Sequence, residues 1–286
     1  MDKIKIMTDS ASDITLADAE KYGIHIIPIN LTIDGKSIKD RFDITIEEFY
    51  DYLETHSEIP KTSQITVNDH LEEFKKFSDE YSIIYVPISS KGSGSFQSAN
   101  IAKNEILEDN PNADITIIDS MSYSYGYGYW VLEAAKMVQN GAKKDEIVSM
   151  IKKGLATNSI LLAPLTLDYL VKGGRISSTA KIFANVLDIN PIMAIEGGLV
   201  TSRDKIRGKK KVISKMVDIL NEEADHSSDK PIIIMHGMLP EIAQKMKEKL
   251  LEKTEFKNVI TAEIGPCIGI HTGPGAYAFI YPKKQQ

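Results

Sequence analysis

The chain has 286 residues, 42% hydrophobic and 26% charged, enough for two ordinary domains with a sizeable core. A formal net charge of −6 argues against a general nucleic-acid binder, though not against a local basic patch. The single cysteine, Cys267, rules out an intrachain disulfide and a Cys-rich zinc site.

The opening MDKIKIMTDS lacks the continuous apolar stretch of a signal peptide. No run of about 18 apolar residues occurs, so no transmembrane helix is expected and the cytoplasm is the expected location. Lys3–Met7 reads as a strand running into Thr8-Asp9-Ser10. A helix follows over Leu16–Tyr22, with Thr15 placed to cap it and Gly23 just past its end. Ile24–Ile33 is one extended run that turns at Asp34-Gly35. Thr45 can cap a helix with Ile46, Phe49, Tyr50 and Leu53 on one face. Pro60–Gln64 is a polar loop, and a helix over Asn68–Asp79 carries Leu71, Phe74 and Phe77 on its stripe. Ser82–Ile88 and Ala113–Ile118 are apolar strands, with helices at Ser95–Leu107, Gly128–Val138 and Asp145–Leu155. Strands alternating with helices predict a parallel, Rossmann-like α/β sheet.

The second half has another texture. Ile160–Ala163, Ile232–Met235, Val259–Ile264 and Ala276–Tyr281 read as strands, and Glu196-Gly197-Gly198 as the turn of a hairpin between Pro191–Ile195 and Leu199–Ser202. Helices fall at Lys209–Glu222 and Glu241–Glu252. Hairpins beside helices predict a mixed α+β domain, giving an expected division into residues 1–158 and 159–286.

Three first-half strands end in polar residues: Thr8-Asp9-Ser10, Ser89 to Ser95, and Asp119-Ser120. In a parallel sheet such ends share one edge, where ligands bind. In Ser89-Ser-Lys-Gly92-Ser93-Gly94-Ser95 the glycines would let backbone approach a ligand, and the serines offer hydroxyls where a helix begins. Read alone, the same segment is equally a serine cap in a Gly-rich loop. Pro60-Lys-Thr62-Ser63-Gln64 alone is an ordinary turn. In Gly265–Gly275, two Gly-rich turns flank His271 before a strand. Lys172-Gly-Gly-Arg175 carries a helix C-cap signal. Arg203 to Lys211 holds six cations in nine residues, either a solvated helix start or a docking patch for something acidic.

Catalytic signatures are missing. Ser93 has Lys91 two before it and Ser95 two after it, so no nucleophile elbow exists. There is no phosphate-binding Gly-rich loop ending in Gly-Lys-Ser/Thr, no dinucleotide fingerprint, no His pair at i, i+4 and no Asp-rich calcium loop. No metal site and no catalytic residue is expected. An alternative stays open: a hydrolase or transferase acting on a small carboxylate or phosphate ester, with Ser93 as nucleophile and His271 as acid–base.

Taken in order, these loops resemble the DegV family of bacterial fatty-acid-binding proteins. The matching pieces are Thr8-Asp9-Ser10, Pro60–Gln64, Ser89–Ser95, Asp119-Ser120, Tyr169-Leu-Val-Lys-Gly-Gly-Arg175-Ile and Gly269-Ile-His271-Thr-Gly-Pro-Gly275, spanning nearly the whole chain. The resemblance implies a two-domain α/β protein holding one long-chain fatty acid between its domains, with no cofactor and no chemistry of its own. It implies the binding subunit of a fatty acid kinase, whose separate catalytic subunit phosphorylates the bound carboxylate with ATP for phospholipid synthesis. By motif position, Thr62, Ser93 and His271 would hold the carboxylate, with Ser63, Gly94, Ser95, Asp119 and Arg175 in supporting loops. Arg203 and Arg207 are expected to dock the kinase, and transient membrane contact fits such a role. Departures from the family pattern are Gly92 where Leu is usual, Ser95 for Thr, Asn190 for Lys and Ala278 for Gly.

Overall fold

The structure is a computed structural model, described over residues 3–176 and 189–284. The chain forms two compact units. The first comprises Met1–Ile44 with Lys61–Ala156, the second Thr45–Pro60 with Thr157–Gln286.

The main sheet of the first unit is parallel, in the order β2-β1-β6-β7, from β1 (Ile4–Asp9), β2 (His25–Ile27), β6 (Ser82–Val86) and β7 (Ile115–Ile117). Of the two central strands, β6 buries all but its first residue, which is why it reads as an apolar run instead of an alternating one, and β1 buries its last four residues. Helix α1 (Leu16–Tyr22) starts where expected: Thr15 accepts from the Asp18 amide, and Gly23 closes the helix at φ 67°.

The extended run Ile24–Ile33 is a different matter, because it divides. β2 joins β1, whereas β3 (Asn30–Ile33) enters a small antiparallel sheet between β4 (Lys36–Lys39) and β5 (Lys61–Ser63). Pro28 lies at the break, where it has no amide to give a ladder. The next amide, of Ile29, donates to the Ser10 hydroxyl at 3.0 Å. Asp34 and Gly35, both at positive φ, make the turn from β3 to β4.

Pro60–Gln64 is also more than a loop, since Lys61–Ser63 is β5. Helix α3 (Val67–Lys75) buries His70 and Phe74, with Leu71 and Phe77 only half-buried. Helices α4 (Ser95–Asp109), α5 (Tyr125–Gln139) and α6 (Lys144–Thr157) complete the unit.

The second unit holds a six-stranded mixed sheet, β10-β9-β8-β13-β11-β12. Its strands are β8 (Asn158–Ala163), β9 (Ile189–Glu196), β10 (Leu199–Arg207), β11 (Ile232–His236), β12 (Val259–Glu263) and β13 (Tyr277–Pro282). The hairpin β9–β10 turns on Gly197 and Gly198, both at positive φ, and its register shifts between Ser202 and Asp204. Helices α8 (Val212–Glu223) and α9 (Pro240–Lys253) pack Met216, Leu220, Met246 and Leu250 into one core with Ile232, Ile234 and Phe279.

Helix α2 (Ile46–Thr55) belongs to this unit too. Its Phe49 and Tyr50 rings lie against Gly269 and Gly237, and the Tyr50 hydroxyl donates to the Ile264 carbonyl at 3.1 Å. A short helix α7 (Asp168–Gly173) packs on α10 (Pro266–Thr272). The latter replaces the first of the two Gly-rich turns expected around His271. Pro266 sits at the first helical position, where its missing amide is harmless.

Candidate functional site

At the carboxyl edge of the parallel sheet, β1 and β6 end side by side, and their polar groups bind each other. The Thr8 hydroxyl donates to the Val86 carbonyl at 2.8 Å. Asp9 is fully buried and accepts from the Ile88 amide at 2.8 Å and the Tyr127 hydroxyl at 2.5 Å. Burial outweighs those bonds and pushes its carboxyl up to about 6, with the negative charge of Asp40 adding to the rise. The Thr8-Asp9-Ser10 end therefore works as scaffold.

The segment after β6 is folded onto the segment after β7. The Ser89 amide donates to the Ser122 carbonyl at 3.0 Å, and the Ser90 amide to Asp119 Oδ1 at 3.0 Å. That oxygen also accepts from the Met121 amide at 3.1 Å. Asp119 thus fixes the two segments together. The Gly92 and Ser93 amides both turn back to the Ser89 carbonyl, at 2.9 and 3.1 Å.

Ser93 then meets β5 through Ser95. The Ile65 amide donates to Ser95 Oγ at 3.2 Å, and Ser95 Oγ lies 2.9 Å from Ser93 Oγ. Ser93 Oγ also accepts from the Ser95 amide at 3.2 Å. With the Ser95 hydroxyl donating to Ser93, the Ser93 oxygen accepts twice and its own hydrogen is left to donate outward. Thr62 stands opposite Leu31 in the β3–β5 ladder, and Ser63 opposite Asn30. Thr62 is half-buried, and Ser63 is exposed.

Gly92 and Gly94 differ from their sequence reading. Neither has a positive φ, and the space a Cβ would fill is taken by this protein's own side chains. At Gly94 a Cβ would collide with the Gln64 carboxamide, which reaches on to Ser98 Oγ at 3.3 Å. At Gly92 it would lie 2.6 Å from Tyr123 Cε1. Neither the packing of Gln64 on Gly94 nor that of Tyr123 on Gly92 carries a sequence signal, because both contacts span about thirty residues.

In the second unit, the two glycines before Arg175 have separate tasks. Gly174 adopts φ 70° and closes α7. Gly173 has an ordinary φ and makes room for the imidazole of His271, since a Cβ there would lie 2.4 Å from Nδ1. Arg175 folds back so that Nη1 donates to the Gly173 carbonyl at 2.6 Å. Burial lowers the His271 pKa to about 4, and the charge of Arg175 pushes the same way. At neutral pH His271 is a neutral imidazole, able to donate or accept a hydrogen bond.

On β10, an edge strand, Arg203 and Arg207 are both exposed but differ in company. Arg203 places Nη2 at 2.5 Å and Nε at 3.2 Å from Glu223 Oε1. The other oxygen of Glu223 accepts from the Tyr281 hydroxyl at 2.8 Å. Among the described residues Arg207 makes no such ion pair. No group of three or more His, Cys, Asp or Glu side chains among them could hold a metal. No helix among them is long and apolar enough to cross a membrane.

A parallel-sheet unit and a mixed-sheet unit, with hydroxyls on the polar loops of the first and the neutral imidazole of His271 on α10 of the second, define an α/β protein of the DegV architecture. The profile of the DegV family, described as an uncharacterised protein family, matches residues 3–284, and the chain belongs to that family. A DegV domain-containing protein of Clostridium perfringens is 34% identical over 98% of this chain and 99% of that one. Among solved structures, a Thermotoga maritima protein reported to reveal fatty acid binding function shares 28% identity, with a TM-score of 0.84 over 99% of this chain and 100% of that one. DegV of Bacillus subtilis, a fatty acid binding protein, shares 27% identity, again with a TM-score of 0.84 over 99% and 100%.

Proposed function

We propose that this protein binds a long-chain fatty acid and performs no covalent chemistry on it. The observation that carries this is similarity over the full chain to the fatty acid binding proteins of Thermotoga maritima and Bacillus subtilis. The donor set is of the right kind. Thr62 and Ser93 offer neutral hydroxyls and His271 a neutral imidazole, and we assign all three to the carboxylate by their motif positions. Ser63, Gly94, Ser95, Asp119 and Arg175 support those loops. The hydrogen bonds of Ser93 run to Ser95, not to a base, which favours binding over the hydrolase or transferase alternative.

Burying an acyl chain contributes ~0.8 kcal/mol per methylene, so about 14 methylenes would supply ~11 kcal/mol before ordering costs. The polar end then has only to avoid an unmet desolvation penalty. We place the protein in the cytoplasm, in transient contact with membranes, presenting the carboxylate to a separate ATP-dependent kinase for acyl-phosphate formation and phospholipid synthesis. Arg203 and Arg207 are the proposed kinase contacts.

The test is mass spectrometry of an organic extract of purified protein, followed by calorimetry with oleate on delipidated protein. A fatty acid in roughly equimolar amount is expected. Ser93→Ala and His271→Ala should each weaken binding by about tenfold to a hundredfold, the loss of one hydrogen bond to a charged group. An extract without fatty acid, from protein that also takes up none, refutes the reading.

A further inference from the structure

Gly92 needs an explanation that its backbone does not supply. Its φ lies outside the left-handed region, so an L-residue could stand there without dihedral strain. What a side chain there would have to displace is Tyr123. A Cβ at Gly92 would lie 2.6 Å from Cε1, 2.6 Å from the hydroxyl oxygen and 2.9 Å from Cζ of that ring. The aromatic ring occupies the volume that a side chain at position 92 would otherwise fill.

The ring has little freedom to yield through its backbone. On one side, the Ser122 carbonyl accepts from the Ser89 amide at 3.0 Å. On the other, Ser124 holds φ 55° and donates to Asp13 Oδ2 at 2.5 Å. The Tyr123 carbonyl accepts from the Gly126 amide at 3.1 Å as α5 begins. Gly92 is likewise tied, through its amide, to the Ser89 carbonyl, and the next residue is Ser93. A displacement of Gly92 by a few tenths of an ångström passes to Ser93 along one peptide, and hydrogen bonds weaken steeply with such errors.

We propose that Tyr123 is a positioning residue for the ligand head group, forming with Gly92 one size-complementary pair that sets where the Ser93 hydroxyl stands. The proposal rests on the fatty-acid reading and goes beyond it, since it makes two residues outside the proposed carboxylate ligands determinants of affinity. The pair works by shape: bulk is needed once, at 123 or at 92, and is harmful when present at both or at neither.

The experiment is a double-mutant cycle on the full chain, delipidated, with oleate titrated calorimetrically and melting temperature recorded for each variant. Gly92→Leu should weaken oleate binding at least tenfold, and Tyr123→Ala at least threefold. The double variant should bind within threefold of the parent, which a merely structural role for either residue would not produce. Tyr123→Phe keeps the ring and should bind within threefold as well. If the parent protein binds no oleate, the fatty-acid reading fails and takes this proposal with it. If the parent binds and Gly92→Leu binds equally well, or the folded double variant is no better than Gly92→Leu, the pairing alone is refuted. A Tyr123→Phe variant as weak as Tyr123→Ala refutes it too, because the hydroxyl and not the ring would then matter.

Discussion

Asp9 and His70 are buried side chains whose charged forms the fold opposes, so that burial favours the protonated carboxyl of the one and the deprotonated imidazole of the other. The carboxyl of Asp9 is held near 6 against an ordinary value of 3.8, by burial that its hydrogen bonds only partly offset. Its protonated form suits the fold, so its contribution to stability is full below about 4, declines as pH rises through 6, and is constant above. His70 behaves oppositely. Burial lowers it from 6.5 to about 4, so its contribution is present above 6.5 and is lost as pH falls towards 4. Nδ1 lies 2.9 Å from the Thr66 carbonyl, an acceptor only, so Nδ1 carries the proton and Nε2 accepts from the Tyr85 hydroxyl at 3.1 Å. Asp9→Asn keeps an oxygen for the Ile88 amide, while its amide group can donate to Tyr127. At pH 7 it should stabilise the protein by up to about 3 kcal/mol, from roughly two units at 1.36 kcal/mol each. Urea unfolding at pH 4 and pH 7 checks this: the gain should fade at the lower pH, and a variant less stable at both would show that the amide cannot replace the carboxyl in its hydrogen bonds.

Among the elements, those with local signals were legible and those made by distant contacts were not. Thr15 and Thr45 cap their helices as read, whereas Thr66 caps a helix whose start the sequence reading put at Asn68; Thr45 and Thr66 complete capping boxes with Glu48 and Asp69. Thr45→Ala should therefore destabilise by about 1 kcal/mol, read as a shift in the urea midpoint without a change in slope. The parallel sheet, the Gly197-Gly198 hairpin and the polar loops were also readable, because apolar runs and turn residues are neighbours in sequence. β5 was not, since Lys61, Thr62 and Ser63 become a strand only by pairing with β3 some thirty residues earlier. The division of Ile24–Ile33 between two sheets is likewise settled by partners, with Pro28 as its one local trace. Helix α10 hid behind glycine. Gly269 weakens helix propensity but is needed where the Phe49 ring packs. Of the candidate site, Thr62, Ser93 and His271 could be named from motif resemblance, whereas Tyr123, the contact Gln64 makes with Gly94 and the use of Gly173 could not, because each is defined by what it touches.

For the molecule as a whole, charge is the informative quantity. A chain of net charge −6 concentrates six cations between Arg203 and Lys211, on an edge strand and the turn after it. Positive side chains on such an edge also discourage strand pairing between copies. The two arginines are not equivalent. Arg203 is already engaged by Glu223, which Tyr281 and Lys283 also hold, whereas Arg207 stands in solvent without an ion pair among the described residues. Arg203→Ala with Arg207→Ala should leave oleate affinity nearly unchanged and lower acyl-phosphate formation when the kinase subunit is supplied. Arg207→Ala alone should lose turnover with no change in melting temperature, and Arg203→Ala should also melt earlier by exposing the Glu223 cluster. Normal turnover by the double variant at physiological salt would refute the proposed role of the basic strand in docking a kinase.

Gly94 and Gly173 carry a consequence for how such a gene can change over generations. Every missense mutation of a glycine codon introduces a Cβ, and at these two positions that atom would meet Gln64 or His271 at well under 3 Å. Gly174 is different: it needs only a left-handed backbone, has open space around it, and can drift to asparagine. A lineage can therefore vary Gly174 without moving a neighbour, whereas a side chain at Gly94 requires the exposed Gln64 carboxamide to swing away from Ser98. Because His271 is itself a proposed ligand-holding residue, Gly173 has no such route open, and its codon is expected to accumulate synonymous changes alone.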